Sequence, residues 1–277
     1  FSICGISGRF VMLERRMERA MAGLQQRRQF AFVIRQLTAR EMKRKYARSA
    51  LGIFWSILNP LLSMTVLSLI FSRMFQKSIA NFPVYYLTGY LLWQTFTGAT
   101  SASLTALTDN RLLLLRVKFP MEIFVTARVY TAIVNFFCSL AAYVVMLIVF
   151  QIKIRLPALM APVILLALFL FSLGMSWILS VGYVFFGDLK HLYTVALTLW
   201  MYCSGIFYPA EELGGLIRQV VFHNPMYLYI DGMRQVILYG QIPAAGQFAQ
   251  MFLWGIGLFA AGWGVFEKNR DRIMRRL

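Results

Sequence analysis

Residues 129–150 form a run of 22 residues without one charged side chain. A helix of about 20 apolar residues, rising about 1.5 Å per residue, crosses the hydrocarbon core of a bilayer. In lipid such a run needs no burial against water. Five further stretches read the same way: 51–72, broken only by Asn59-Pro60; 82–106; 156–186; 192–208, a shorter one bounded by Asp188 and Pro209; and 248–266. The expectation is an all-α integral membrane fold with six transmembrane helices, spread over 51–267. Composition agrees. Of 277 residues, 59% are hydrophobic and 14% charged, against about 45–50% and about 25% in soluble domains.

The formal net charge is +17, which suits nucleic acid or a membrane surface. Its placement separates the two. Twelve Lys/Arg fall in residues 1–50. Arg111, Arg116, Lys118 and Arg128 follow the second span, Lys190 follows the fourth, and five more lie in a basic tail, 268–277. These 22 share one side of a six-span topology, and six lie on the other. That asymmetry predicts both termini in the cytoplasm and disfavours nucleic acid. The chain opens on Phe1; Met12 or Met17 is the expected natural start, and no signal-peptide pattern precedes it.

Ahead of the first span, a disorder-prone cytoplasmic segment over 1–25 leads into a basic amphipathic stretch, 26–50. Phe30, Val33, Ile34 and Leu37 follow the i, i+3, i+4, i+7 rule, and Arg35, Arg40, Lys43, Arg44, Lys45 and Arg48 fill the other face. This predicts a helix in the headgroup plane. It serves either as a topology anchor or as a gate at the entry of an anionic lipid-linked substrate. The loop 108–123, TDNRLLLLRVKFPMEI, has the mixture expected of a docking helix, and Leu112 to Leu115 call for a cover. Residues 209–247 hold two apolar pieces too short to span, interrupted by Arg218, Asp231 and Arg234 and punctuated by Asn224-Pro225. They predict a re-entrant helical hairpin between spans five and six, because irregular backbone at that depth survives only inside protein or against water. A surface-lying loop is the plainer alternative.

Catalytic chemistry is not evident. No G-x-x-x-x-G-K-[ST] occurs, so the chain has no phosphate-cradling loop for ATP. Cys4, Cys138 and Cys203, with His191 and His223, give no metal-ligand spacing. No catalytic residues, cofactor or metal are expected in this chain. No carboxylate lies deep in a span, which argues against ion-coupled transport, so the driving energy must come from another protein. Aromatic residues make up 16%. Most suit an interfacial belt, but Trp55, Trp93 and Trp200 lie well inside their spans. With Tyr86 and Tyr202 they are candidates to line a path for sugar rings. The hydroxyls of the second span and Gly255, Gly257, Gly262 and Gly264 of the sixth suit helix packing.

The stretch LTAREMKRKYARSALGIFWSILNPLL, residues 37–62, resembles the permeases of type-2 ABC exporters, closest to their polysaccharide, O-antigen and teichoic-acid branch. The resemblance is carried by Lys43-Arg44-Lys45-Tyr46, Ser49, Leu51-Gly52, Trp55 and Asn59-Pro60-Leu61-Leu62. It continues in Lys118-Phe119-Pro120, Ile206-Phe207-Tyr208-Pro209, Asn224-Pro225-Met226 and Gly232-Met233-Arg234. It implies a homodimer with two copies of a separate ATPase subunit, which would bind ATP and Mg. It implies a bacterial cytoplasmic-membrane location and a gate helix over 26–50. Arg116, Lys118, Phe119, Pro120, Met121 and Glu122 would seat in the ATPase, with Asp188, Leu189 and His191 as a second contact. The first and fifth spans would line the channel. Arg35, Arg40 and Arg44 would draw in a lipid diphosphate, since guanidinium pairs with phosphate at two points. Two departures concern the ATPase contacts: Gly187 precedes Asp188 where the family often has Arg, and Met121 follows Phe-Pro where a basic residue is common. The rivals are an exporter of drugs or small lipids, a membrane-embedded glycosyl- or acyltransferase, and a secondary flippase.

Overall fold

The computed structural model describes residues 29–47, 49, 51–71, 81–116 and 120–277, all helix, turn and loop with no strand among them. Helix α1 covers 29–46. A short 3-10 turn leads into α2 (Trp55–Phe71), and α3 is Phe82–Leu104. Two short helices follow, α4 (Ala106–Asp109) and α5 (Arg111–Arg116). Then come α6 (Glu122–Val149), α7 (Ala161–Phe185), α8 (Leu189–Tyr202), α9 (Gly215–Phe222), α10 (Pro225–Arg234) and α11 (Ala245–Arg276). Among the described residues, three stretches are long and apolar enough to cross a membrane by themselves: Glu122–Val149, Leu156–Phe185 and Ala245–Arg276. Helix α3 has 23 residues and is rich in hydroxyls, and α8 has 14.

Helices α6 and α11 overrun the apolar runs that announce them. The tail 268–277 is the last part of α11, where Ile273 and Leu277 are buried with Leu37, Leu114, Met121 and Phe124. One end of the bundle therefore has its own apolar core, to which α1, α5, α6, α7 and α11 all contribute. Of the four consecutive leucines, Leu114 is covered by this core and Leu112, Leu113 and Leu115 stay exposed.

Small residues set the closest helix pair. A Cβ on Gly174 of α7 would run into the backbone carbonyl of Leu258, and one on Gly262 of α11 would run into that of Gly174. A Cβ on Gly255 would sit 2.8 Å from the Ala167 carbonyl oxygen. Close backbone approach of this kind replaces the hydrophobic drive that lipid removes. Gly257 and Gly264 face open space.

In α2, Pro60 has no N–H to give the Ser56 carbonyl. Ser139 of α6 supplies the missing donor, its hydroxyl lying 2.7 Å from that oxygen. The proline thereby fixes a contact between α2 and α6. Most hydroxyls of α3 bond back to their own helix, as Thr95 does to Leu91 and Ser103 to Ala99. Thr88 and Thr100 reach across, to Tyr143 of α6 and Tyr193 of α8, both at 2.7 Å.

Residues 209–247 hold a 3-10 turn, Ala210–Glu212, the helices α9 and α10, a π-helical turn, Gln235–Tyr239, and the first residues of α11. The helix α10 packs against α3, α7 and α11 and is buried along most of its length. In contrast, α9 is largely exposed. Asn224 caps α10, accepting from the Met226 N–H at 3.0 Å. The same oxygen accepts from the Trp200 indole at 2.7 Å, while the amide donates to Cys203 and Ser204. One side chain thus ties the end of α8 to the hairpin.

Candidate functional site

A cavity of about 680 Å³ lies between α1, α2, α3 and α6. Periodicity puts its lining on one stripe of each helix. Leu91, Gln94, Thr95, Gly98 and Ala102 follow successive turns of α3, with Thr105 just past its end, and Arg128, Thr131, Asn135 and Ser139 do so on α6. From α2 come Trp55, Ser56 and Asn59. Glu41, Arg44, Lys45 and Tyr46 of α1 close one end.

The wall carries three cations, Arg44, Lys45 and Arg128, with hydroxyls, amides and three aromatic side chains, Tyr46, Trp55 and Phe136. Lys45 stands over the Tyr46 ring at 5.3 Å. Arg128 is held by Glu41 and by Asp109, the latter at 3.0 Å, which leaves Arg44 and Lys45 as the exposed cations of the wall. Tyr46 donates to Asn135 at 3.1 Å. Such a surface suits a ligand that combines an anionic group with hydroxyl-bearing rings: guanidinium and ammonium for the anion, amides and hydroxyls for the ring substituents, a flat indole for an apolar ring face.

Of the expected substrate residues, the structure brings Arg44 and Trp55 together on this cavity. Arg40 sits nearby, donating to Asn110 at 2.8 Å. Arg35 is exposed on α1. Tyr86 and Trp93 lie elsewhere, 1% and 4% exposed inside the core, where Tyr86 stacks on Phe207 and Trp93 meets Trp200 edge-on. Within one chain, aromatics of α8 and its following turn pack against both rings. Trp200 is half-buried and tied to Asn224, and Tyr202 is exposed.

Of the expected ATPase contacts, Arg116 is exposed at the end of α5, and Lys118 and Phe119 lie outside the described residues. Pro120 is half-buried, and Met121 and Glu122 are buried at the start of α6. One Glu122 carboxylate oxygen has no hydrogen-bond partner among the described residues. Asp188 and His191 are exposed at the start of α8, where Leu189 packs beside Gly182. No cluster of metal-ligating side chains occurs among the described residues.

Sequence reasoning missed the polar partners of the cavity: Glu41, Gln94, Asp109, Arg128, Asn135 and Ser139. The available signal was scarcity. The chain has only eleven acidic residues, and two of them, Glu41 and Asp109, converge on Arg128.

Residues 33–238 match the family described as ABC-2 type transporter. The chain is 29% identical over 245 residues to the O-antigen export system permease protein RfbA of Myxococcus xanthus, covering 88% of this chain and 94% of that protein. It is 27% identical over 237 residues to the protein of the same name from Klebsiella pneumoniae, covering 85% and 91%. The capsule polysaccharide export inner-membrane protein CtrC of Neisseria meningitidis is 28% identical over 201 residues, covering 70% and 74%.

Proposed function

The chain belongs to the ABC-2 type transporter family, and from that premise we propose that it is the membrane-spanning permease of an ATP-driven exporter of a lipid-linked polysaccharide. O-antigen and capsule polysaccharides are the substrate classes named for its relatives. A teichoic-acid-type polymer shares the lipid diphosphate and is the second substrate class to assay. Supporting the reading, the sequence shows no phosphate-cradling loop, and the cavity between α1, α2, α3 and α6 joins exposed cations to an indole and to amides.

The proposed arrangement has six spans: α2, α3, α6, α7, α8 and α11. Both termini face the cytoplasm, and α9–α10 form a re-entrant hairpin toward the outer leaflet. Two copies pair, each with one ATPase subunit that binds ATP and Mg. Exposed apolar side chains of α2 (Leu62, Val66, Leu69) and α8 (Leu192, Val195, Leu199) would face the partner copy and the polymer path. Leu112, Leu113 and Leu115 of α5, with Arg116 to Glu122 and Asp188 to His191, would meet the ATPase.

In this arrangement Arg44 and Lys45 bind the lipid diphosphate as it reaches the cavity. Trp55 offers its face to the first sugar, and Arg35 and Arg40 supply positive field along α1. The observation that carries the reading is the meeting of Arg44 and Trp55 on one cavity in a chain similar to polysaccharide permeases over most of its length. The test is complementation of cells that lack their own polysaccharide permease, with the cognate ATPase supplied. Wild-type chain is expected to restore surface polymer, and Arg44→Ala or Trp55→Ala to restore little. Full restoration by both variants would remove the cavity from the account.

A further inference from the structure

Arg128 joins three segments of the chain. Its side chain is 13% exposed and pairs with Glu41 of α1, itself 11% exposed. It also pairs at 3.0 Å with Asp109, the last residue of α4 and two positions before α5 begins. Thr105 donates to the same Asp109 oxygen at 2.9 Å, fixing its rotamer. Beside it, Asn110 accepts from Arg40 of α1 at 2.8 Å and donates to the Ala106 carbonyl. The polar tie therefore runs from the α4–α5 segment through α6 to α1. Two further ion pairs, Arg40 with Glu41 at 3.4 Å on α1 and Arg270 with Glu267 on α11, each stay within one helix.

The way α1 is attached changes along its length. Its first half is anchored by apolar packing: Leu37 is buried, and Phe30, Val33 and Ile34 lie against the same core. The second half is held by polar contacts, Glu41 to Arg128 and Tyr46 to Asn135. Glu41, Arg44, Lys45 and Tyr46 of that half are also one wall of the cavity. Apolar packing and interlocked backbones resist displacement, as in the α7–α11 pair. A partly hydrated charged contact has two discrete arrangements, made or replaced by water, and so can act as a switch.

We propose that Glu41, Arg128 and Asp109 form a latch that carries movement of the α4–α5 segment to the second half of α1 and so sets the width of the cavity mouth. With both carboxylates on Arg128, α1 is pinned to α6 and the mouth is narrow. When α5 is drawn aside, Asp109 leaves, the guanidinium turns, and the Glu41 tie loosens. The half of α1 beyond Leu37 then swings, taking Arg44 and Lys45 with it. In these terms Arg128 is a positioning residue for the cations of α1. The latch rests on the reading of α5 as the segment that meets the ATPase.

The test uses the complete complex with its ATPase in lipid nanodiscs. Spin labels replace Lys43 on the exposed side of α1 and Tyr130 on α6, in a chain with Cys4, Cys138 and Cys203 substituted. The distance between labels is read with and without ATP trapped by vanadate. A nucleotide-driven change in the Lys43–Tyr130 distance is expected in the wild-type background. Asp109→Asn should abolish the change while the ATPase still co-purifies, and Glu41→Gln should fix the distance at its loosened value without nucleotide. Arg128→Lys, which keeps the charge and loses the two-pronged geometry, should retain part of the change. A full change in Asp109→Asn, or none in the wild-type complex, overturns the latch even if polymer export is intact. Failure of any ATPase to co-purify defeats the export reading and the latch together.

Discussion

The guanidinium carbon of Arg234 lies 3.4 Å from the centroid of the Tyr85 ring. The same group donates to three carbonyls: Gly205 at 2.8 Å, Ile206 at 3.1 Å and Tyr85 at 3.3 Å. Arg234 is 1% exposed, so α10 enters the bundle on a charge that is almost fully enclosed. Gly89 of α3 makes room for it, since a Cβ there would stand 2.9 Å from the guanidinium. A planar fork over a ring, feeding several acceptors, is a task for arginine and not for lysine.

Arg234→Met is therefore expected to destabilise the protein by about 3 kcal/mol, because it leaves buried carbonyls without donors. Arg234→Lys should recover only a small part. Thermal unfolding of the purified complex and protease sensitivity of 209–247 measure this. A Lys variant as stable as wild type would mean that charge alone matters at the site.

Ser139 and Pro60 should behave as a coupled pair. Ser139→Ala leaves the Ser56 carbonyl unpaired and is expected to cost about 1–2 kcal/mol. Pro60→Ala restores a backbone donor to that carbonyl, so Ser139→Ala should cost little in the Pro60→Ala background. A double-mutant cycle of unfolding free energies reads the coupling. Additive costs would contradict it.

The glycines of α11 split into two classes. Gly262→Ala, which meets the Gly174 carbonyl, should cost about 1–3 kcal/mol through overpacking and lower the amount of chain recovered from membranes. Gly257→Ala and Gly264→Ala, with nothing within 4 Å of the added carbon, should be silent. Equal effects at all three positions would contradict the close α7–α11 approach.

Much of the fold is legible in hydrophobic runs. Residues 129–150 announce α6, and 248–266 announce α11. Their true ends are not legible there, because Glu122 to Arg128 is a polar-flanked helix stretch that packs on protein, and Lys268 to Arg276 is a largely exposed one held to protein through Ile273. Hydropathy cannot distinguish such ends from solvated loop. The amphipathic pattern of α1 located Leu37 and Arg44 on their proper faces, and the Asn59-Pro60 and Asn224-Pro225 motifs drew attention to positions with long-range partners. The partners themselves, Ser139 for Pro60 and Trp200 for Asn224, are about 80 and 24 residues away and leave no periodic signal. Position inside a span suggested a path-lining role for Tyr86 and Trp93. Only tertiary packing reveals that neighbouring aromatics pack against them.

Arg44→Ala should weaken recognition of the anionic lipid by about tenfold, the loss of one charge-assisted contact worth about 1.4 kcal/mol. Arg35→Ala, farther from the cavity, should weaken it less. Binding of an undecaprenyl-diphosphate sugar to the purified complex, by displacement of a fluorescent analogue, measures both. An unchanged affinity in Arg44→Ala would move the anion site away from α1.

Transport in a defined system bears most directly on the account. The chain and its ATPase are reconstituted together into liposomes, with lipid-linked polysaccharide presented on the ATPase side and its appearance on the opposite side scored by a lectin. Movement is expected only when both proteins and hydrolysable ATP are present. Movement by the chain alone, or with a non-hydrolysable nucleotide, would contradict a permease that draws its power from a bound motor.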